Sequence, residues 1–259
     1  MLTAYDYSTA RVLDELEIPM VLVGDSLGMG VLGYESTVYV TMDDMVHHIK
    51  AVARGAKRPL IVADMPFMSY RNGKAETLKN AARLIQEGGA QAVKLEGGES
   101  VAEVTRHIVS NGIPVMGHLG LTPQSVYQLG GYKVQGKTPK KAAQLLRDAK
   151  ALEEAGVFSM VLESIPALLA KLITERVSIP TIGIGAGVHC DGQVQVIHDI
   201  LGLVSDFHPK HAKTYAHLGD LAASAITRYM EEVRSGAFPT DKESFRMNPD
   251  VLSELIQYA

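Results

Sequence analysis

Eight short runs rich in valine, isoleucine and leucine recur along the chain with helix-like stretches between them. They are MLTAY, PMVLVGD, PLIVAD, QAVKLEG, IPVMGH, FSMVLES, IPTIGIGAG and, with a weaker pattern, DILGLVSD. Runs without polar alternation form strands that must be covered on both faces, which is the habit of parallel sheets wrapped by helices. The intervening segments are amphipathic: LKNAARLIQEGGA sets Leu78, Ala81, Ala82 and Ile85 at helical spacing and closes on glycines, and PKKAAQLLRDAKALEEAG repeats the design. Thr41 with Asp44 and Ser100 with Glu103 read as capping boxes, and Thr138-Pro139 as a cap before a first-turn proline.

Eight strand-helix units in 259 residues match a (β/α)₈ TIM barrel, an α/β fold of about 250 residues. A doubly wound open sheet would show the same alternation; closure alone separates them. No linker, low-complexity tract or composition break divides the chain, so residues 1–259 are expected to form one barrel domain, with a helical extension from about His217. At 46% hydrophobic and 21% charged residues the composition is that of a globular protein with a sizeable core. A net charge of −4 with scattered basic residues argues against nucleic acid as a partner. Cys190, the one cysteine, suits a reducing compartment, and no apolar stretch is long enough for a membrane span, so a cytoplasmic location is expected.

Function in a parallel barrel collects at the C-terminal strand ends. Here the runs end in Tyr5-Asp6, Asp25-Ser26, Asp64, Lys94 and Glu96, His118, Glu163-Ser164 and Gly185-Ala186-Gly187. Taken singly, each has an ordinary explanation: an aspartate after a strand is most often an N-cap, a histidine is more often structural, and glycines turn tightly. Repetition changes the balance. Carboxylates gathered at one mouth repel one another unless a cation is present, and an all-oxygen set with no Cys/His cluster suits Mg²⁺ rather than zinc. Asp25, Asp64 and Glu96 are the candidate metal ligands. Lys94, two residues from Glu96 and therefore on the same strand face, would hold an anionic substrate group beside the metal.

The segments LTAYDYS, VGDSLGM, VTMDDM, ADMPFMSY, VKLEGG, GHLGLTPQSV, GGYKVQG, LESIPA, IPTIGIGAG, CDGQV and the tail GAFP together resemble the ketopantoate hydroxymethyltransferase family. That resemblance implies a Mg²⁺-dependent barrel, a homo-oligomer and usually a decamer, that adds a one-carbon unit from methylenetetrahydrofolate to the 2-oxo acid 3-methyl-2-oxobutanoate. It assigns Asp25 and Asp64 to the metal and to substrate contact, Glu96 to the metal, Ser26 and Lys94 to the oxo acid's carboxylate, and Glu163 to the role of proton acceptor. His118 falls at a pocket position. Two departures stand out. The chain starts at Met1, where the family has a helix before the first strand, so different coverage of the barrel bottom and different subunit contacts are expected. Tyr34 and Tyr39 replace an expected His and Pro, which should alter the loop after strand two. The rival readings are a Mg²⁺ barrel of the isocitrate lyase and phosphoenolpyruvate mutase type, whose cysteine motif is absent here, and a non-catalytic metabolite-binding barrel.

Overall fold

Strands apolar on both sides need two separate apolar layers, and the chain builds both. The computed structural model describes residues 1–203, 209–256 and 258. The strands are β1 (Leu2–Thr3), β2 (Met20–Val23), β3 (Leu60–Asp64), β4 (Ala92–Glu96), β5 (Val115–Gly120), β6 (Ser159–Glu163), β7 (Thr181–Ile184) and β8 (Gly192–Gln193). They pair in chain order, each parallel to the next. The sheet closes: Leu2 bridges Gln195 in parallel, the Thr3 amide donates to the Gln195 carbonyl at 3.1 Å, and the Ile197 amide donates to Thr3 Oγ1 at 2.9 Å. Closure selects the barrel over the open sheet and removes the sheet's edges.

The inner layer is Leu22, Val62, Ala92, Met116, Val161, Ile184 and Val194. The alternate residues Val21, Val23, Ala63, Val93, Leu95, Leu119 and Leu162 face outward against Ile49, Val52, Leu84, Ile108, Leu152 and Ile173 of the helices. Each fully buried aliphatic side chain of this kind contributes about 1.5–3 kcal/mol, so both layers are needed to offset the chain entropy of folding.

Local signals at the helix starts are met in two cases out of three. Thr41 and Asp44 make a complete capping box at the head of the helix Met42–Gly55, and Thr138 caps Pro139–Ala155. Ser100 and Glu103 do not form the expected box. The helix Glu99–Ser110 starts two residues earlier, capped at Gly98, and its first amide donates instead to Asp148 Oδ1 at 2.9 Å, a group from the helix Pro139–Ala155. A Cβ at Gly98 would lie 2.1 Å from that carboxylate, so glycine is required for the contact.

The eighth strand is also a correction. DILGLVSD does not supply it: Asp199–Leu201 belong to the helix Ile197–Leu201, and Val204–Asp206 lie outside the described residues. The strand is the two-residue Gly192–Gln193, too short and too polar to read as an apolar run. After residue 217 come the helices Leu218–Ser235 and Pro249–Ile256, neither with a buried residue. Among the described residues no helix is long and apolar enough to cross a membrane.

Glu153 ties the end of its helix to the segment before β7. Its Oε1 accepts from the Ser178 amide and hydroxyl, both at 2.6 Å, and its Oε2 lies 2.9 Å from Lys150 Nζ. These bonds, the Ser178 hydroxyl first, hold the carboxyl down to about 2. Glu153→Ala should cost about 2 kcal/mol in urea unfolding near neutral pH. Because the folded value is depressed, the parent's margin over the variant is full above the ordinary glutamate value of 4.5 and shrinks as pH falls toward about 2. A margin that stayed constant to pH 3 would assign the loss to packing instead.

Candidate active site

Residues two apart on a strand share a face, so the residue two beyond an inner apolar side chain also points into the barrel, one step nearer its C-terminal mouth. Val62 is followed in this way by Asp64, Ala92 by Lys94 and then Glu96, Met116 by His118, and Val161 by Glu163. The register sets Asp64 beside Lys94, Glu96 beside His118 and Glu163 beside Gly120. The five polar side chains line one cavity of about 890 Å³, together with Asp25 and Ser26 from the turn after β2.

Their contacts form one continuous network. Lys94 Nζ lies 2.8 Å from Asp64 Oδ1, although that buried oxygen receives no hydrogen bond of good alignment. Asp64 Oδ2 accepts from the Asp25 amide at 3.0 Å. His118 Nδ1 is 3.3 Å from Glu96 Oε1, and its Nε2 is 3.2 Å from Glu163 Oε2. Ser26 Oγ shares a 2.8 Å hydrogen bond with the Tyr5 hydroxyl. Asp25, Asp64, Lys94, Glu96 and His118 are all buried, whereas the Glu163 side chain keeps 15% of its surface exposed at the cavity wall.

Charge burial shapes the ionisation of these groups. Desolvation, then the charges of Asp64 and Glu96, raises the Asp25 carboxyl well above the usual range. Desolvation likewise raises Asp64, against the pull of Lys94. Burial opposes the Lys94 ammonium, yet Asp64, Glu96 and Asp25 outweigh it and drive its pKa upward. Burial and Lys94 both push His118 down, and bonds to Glu163 and Glu96 lift it past them to about 9. Lys94 Nζ also stands 3.2 Å from His118 Nδ1, where a neutral imidazole would accept a hydrogen bond from the ammonium.

Four carboxyl groups, Asp25, Asp64, Glu96 and Glu163, outnumber their two basic partners, Lys94 and His118. The oxygen donor set, the unaligned Asp64 Oδ1 and the raised Asp25 fit a hard divalent cation. Among the described residues, no three acidic, histidine or cysteine side chains already surround an ion-sized point. Protein groups stand against the oxygens instead: Lys94 on Asp64 and the Gln124 amide on Asp25 Oδ2 at 2.8 Å.

Not every strand-end residue joins the site. Asp6 is an ordinary N-cap, accepting from the Thr9 amide. The Gly185-Ala186-Gly187 turn carries left-handed glycines and borders the cavity through Gly185, but the next element is β8, so it lacks the helix N-terminus a phosphate cradle uses. Cys190 and Asp191 line an adjoining recess that shares Gly185, Gln195 and His211 with the main cavity. Backbone strain marks the Glu163 position: Ser164 has φ +47°, a costly state for a residue with a Cβ. Gly120, with φ +95°, could not carry a Cβ, which would meet the Glu163 carbonyl oxygen at 2.2 Å.

Sequence reasoning passed over Gln124. Its amide group donates to Asp25 Oδ2 and to the Met65 carbonyl at 2.9 Å, its Oε1 accepts from the Tyr70 hydroxyl at 2.7 Å, and its backbone N–H donates to Glu96 Oε2 at 3.0 Å. A loop glutamine carries no chemistry of its own, and its one signal was membership of GHLGLTPQSV. Gln124→Leu strands the Asp25 carboxylate oxygen and the Met65 carbonyl, while the Tyr70 hydroxyl keeps the Glu96 carbonyl, and should cost about 2–3 kcal/mol in urea unfolding; a change below about 1 kcal/mol would mean that water replaces the amide.

With the site described, likeness to known proteins is informative. The family model for ketopantoate hydroxymethyltransferase matches residues 1–241. The 3-methyl-2-oxobutanoate hydroxymethyltransferase of Dehalococcoides mccartyi is 63% identical over 98% of this chain and 91% of its own length. That of Acetivibrio thermocellus is 57% identical over 98% and 90%. Solved structures similar in fold include phosphonopyruvate hydrolase in complex with oxalate and Mg²⁺, with TM-score 0.60, 12% identity and coverage of 93% and 87%. Another is 2,3-dimethylmalate lyase, a member of the PEP mutase/isocitrate lyase superfamily, with TM-score 0.58, 17% identity and coverage of 99% and 91%. At those identities the structures speak to fold alone, but the sequence matches run along nearly the whole chain, which belongs to the ketopantoate hydroxymethyltransferase family.

Proposed function

We propose that this protein transfers a hydroxymethyl group from methylenetetrahydrofolate to 3-methyl-2-oxobutanoate, giving 2-dehydropantoate in the biosynthesis of pantothenate and coenzyme A. Family membership supports the reaction. The observation that carries the mechanism is the convergence of Asp25, Asp64, Lys94, Glu96, His118 and Glu163 on one cavity.

The reaction has to remove a proton from C3 of a 2-oxo acid, a carbon acid far too weak to ionise readily in water. Asp25, Asp64 and Glu96 would hold Mg²⁺. When bound, that ion supplies Lewis-acid stabilisation for the negative charge that develops on the 2-oxo oxygen. The Lys94 ammonium and the Ser26 hydroxyl receive the substrate carboxylate, with Ser26 held in orientation by Tyr5. Glu163, the least buried of the carboxylates, takes the C3 proton as general base. His118 keeps its Nε2 3.2 Å from Glu163 Oε2 and so positions the base at the cavity wall. Water releases the folate's methylene carbon as formaldehyde, breaking both of its carbon–nitrogen bonds and leaving the two nitrogens of tetrahydrofolate protonated; the C3 carbanion adds to that carbonyl carbon, and the resulting alkoxide takes back the proton held by Glu163. Loading the mouth with charge is costly, but preorganised charge at the reacting atoms lowers the barrier where charge appears.

Work in the cytoplasm as a homo-oligomer, a decamer by the family resemblance, completes the reading. The helix Leu218–Ser235 supports association: it has no buried residue, yet exposes Ile226, Tyr229, Met230 and Val233, an apolar stripe that a partner subunit could cover.

Incubated in deuterated buffer with the oxo acid and without folate, the parent protein should exchange the C3 hydrogen only when Mg²⁺ is added. Glu163→Gln should bind Mg²⁺ and oxo acid normally while exchange falls by about 10²–10⁴-fold; unimpaired exchange would remove Glu163 from the role. Asp64→Ala should weaken Mg²⁺ binding in calorimetry by more than the roughly 10–100-fold that loss of an outer-shell partner costs, and a titration matching the parent's would refute the ligand assignment.

A further inference from the structure

The charged network occupies only the floor of the cavity. A five-carbon acid leaves most of about 890 Å³ unfilled, a volume in the range that accommodates drug-sized ligands. One wall of the remaining space is aromatic and apolar: Met29 and Tyr34 from the loop after β2 and Tyr132 and Val134 from the loop after β5 all line it. These side chains are 37–51% exposed, an unusual display of large apolar surface beside a buried charged cluster.

The wall is also preordered. The Tyr34 ring meets Tyr39 edge-on at 6.1 Å, the Tyr39 hydroxyl stands 3.5 Å from that of Tyr127, and the Tyr132 hydroxyl points to Met29 Sδ at 3.6 Å. The two loops thus hold each other, and rings already fixed lose little entropy when a flat ligand settles on them. Tyr132 stands close to the chemistry. Burial raises its phenol pKa first, and the nearby charges of Asp25 and Glu163 raise it further. On another side of the same cavity stands Lys210.

We infer that this tyrosine wall is the seat of the reduced pteridine of the one-carbon donor, with Lys210 facing the carboxylates of its glutamate tail. The inference rests on the reading that a folate supplies the carbon. A reduced pteridine is a largely planar bicycle, suited to stacking on the faces of tyrosine rings. A ring lying on Tyr132 brings the adjacent methylene toward C3, beside Glu163, while the benzoyl-glutamate tail runs outward to solvent. Stacking on this wall also keeps water from the carbanion, which would otherwise simply be reprotonated.

The test uses the full-length, Mg²⁺-loaded enzyme with tetrahydrofolate and 6-methyltetrahydropterin as probes in calorimetry, and folate-free C3 exchange as an internal control. Tyr34→Ala and Tyr132→Ala should each raise the Kd of both probes by about tenfold, Tyr132→Phe should stay near the parent, and exchange should be unchanged in all three. Lys210→Ala should weaken tetrahydrofolate alone, because the pterin has no tail. Unchanged probe affinity in both alanine variants would overturn the assignment. So would a parallel loss of exchange, which would give the rings to the oxo acid, or a change of light-scattering mass without a change of affinity, which would make the wall a subunit interface. A parent protein lacking Mg²⁺-dependent exchange would sink the mechanism proposed above, while the probe affinities would still decide this one.

Discussion

Everything at the mouth of this barrel depends on the placement of Lys94. Its ammonium is buried and sits 2.8 Å from Asp64, on the same strand face as Glu96 and within the field of Asp25. Stripping such charges of water costs several kcal/mol each, and that cost is met only when opposite charges and hydrogen bonds replace the lost hydration. The parallel register makes the replacement possible. Asp64 stands opposite Lys94 and Glu96 opposite His118 because neighbouring strands are paired at those residues. A slip of one residue would turn Lys94 and Glu96 toward the helix layer, where Val93 and Leu95 now pack.

The barrel separates stability from chemistry along its own axis. Below, the inner layer of Leu22, Val62, Ala92, Met116 and Val161 is apolar and holds the strands together. One step up, the same strands present acids, a lysine and a histidine. The supporting contacts lie outside the strands: Gln124 steadies Asp25 and Glu96 from the loop after β5, Tyr5 steadies Ser26, and the strained Ser164 backbone ends the strand that carries Glu163. Precision at the mouth is thus supplied by loop residues, and the apolar layer beneath them keeps the strands from moving.

The fold was legible wherever a strand is buried on both faces, because such a strand has to be written as a continuous apolar run; seven of the eight runs are strands. The eighth was not, because a two-residue strand at the closing seam needs little apolar sequence, and DILGLVSD borrowed the look of a strand while Asp199–Leu201 are helical. Ser100 and Glu103 misled in the same local way: they spell a cap, but a carboxylate from another helix takes the amide first. Of the site, Asp25, Ser26, Asp64, Lys94, Glu96, His118 and Glu163 could be named from strand ends and motif resemblance, and all line one cavity. Gln124, Tyr70 and the tyrosine wall could not, since their meaning lies in partners dozens of residues away.

By itself the sequence determined the strand-helix alternation, the face on which each polar residue stands and the family, because backbone period and side-chain type are local properties. Tertiary structure alone decided that the sheet closes through Gln195, that Lys94 neutralises Asp64 while His118 links Glu96 to Glu163, and that a single glutamine holds two carboxylates. The physical reason is that electrostatic and hydrogen-bond energies depend on distance through space and on exclusion of water, and neither quantity exists until separate strands have been brought side by side.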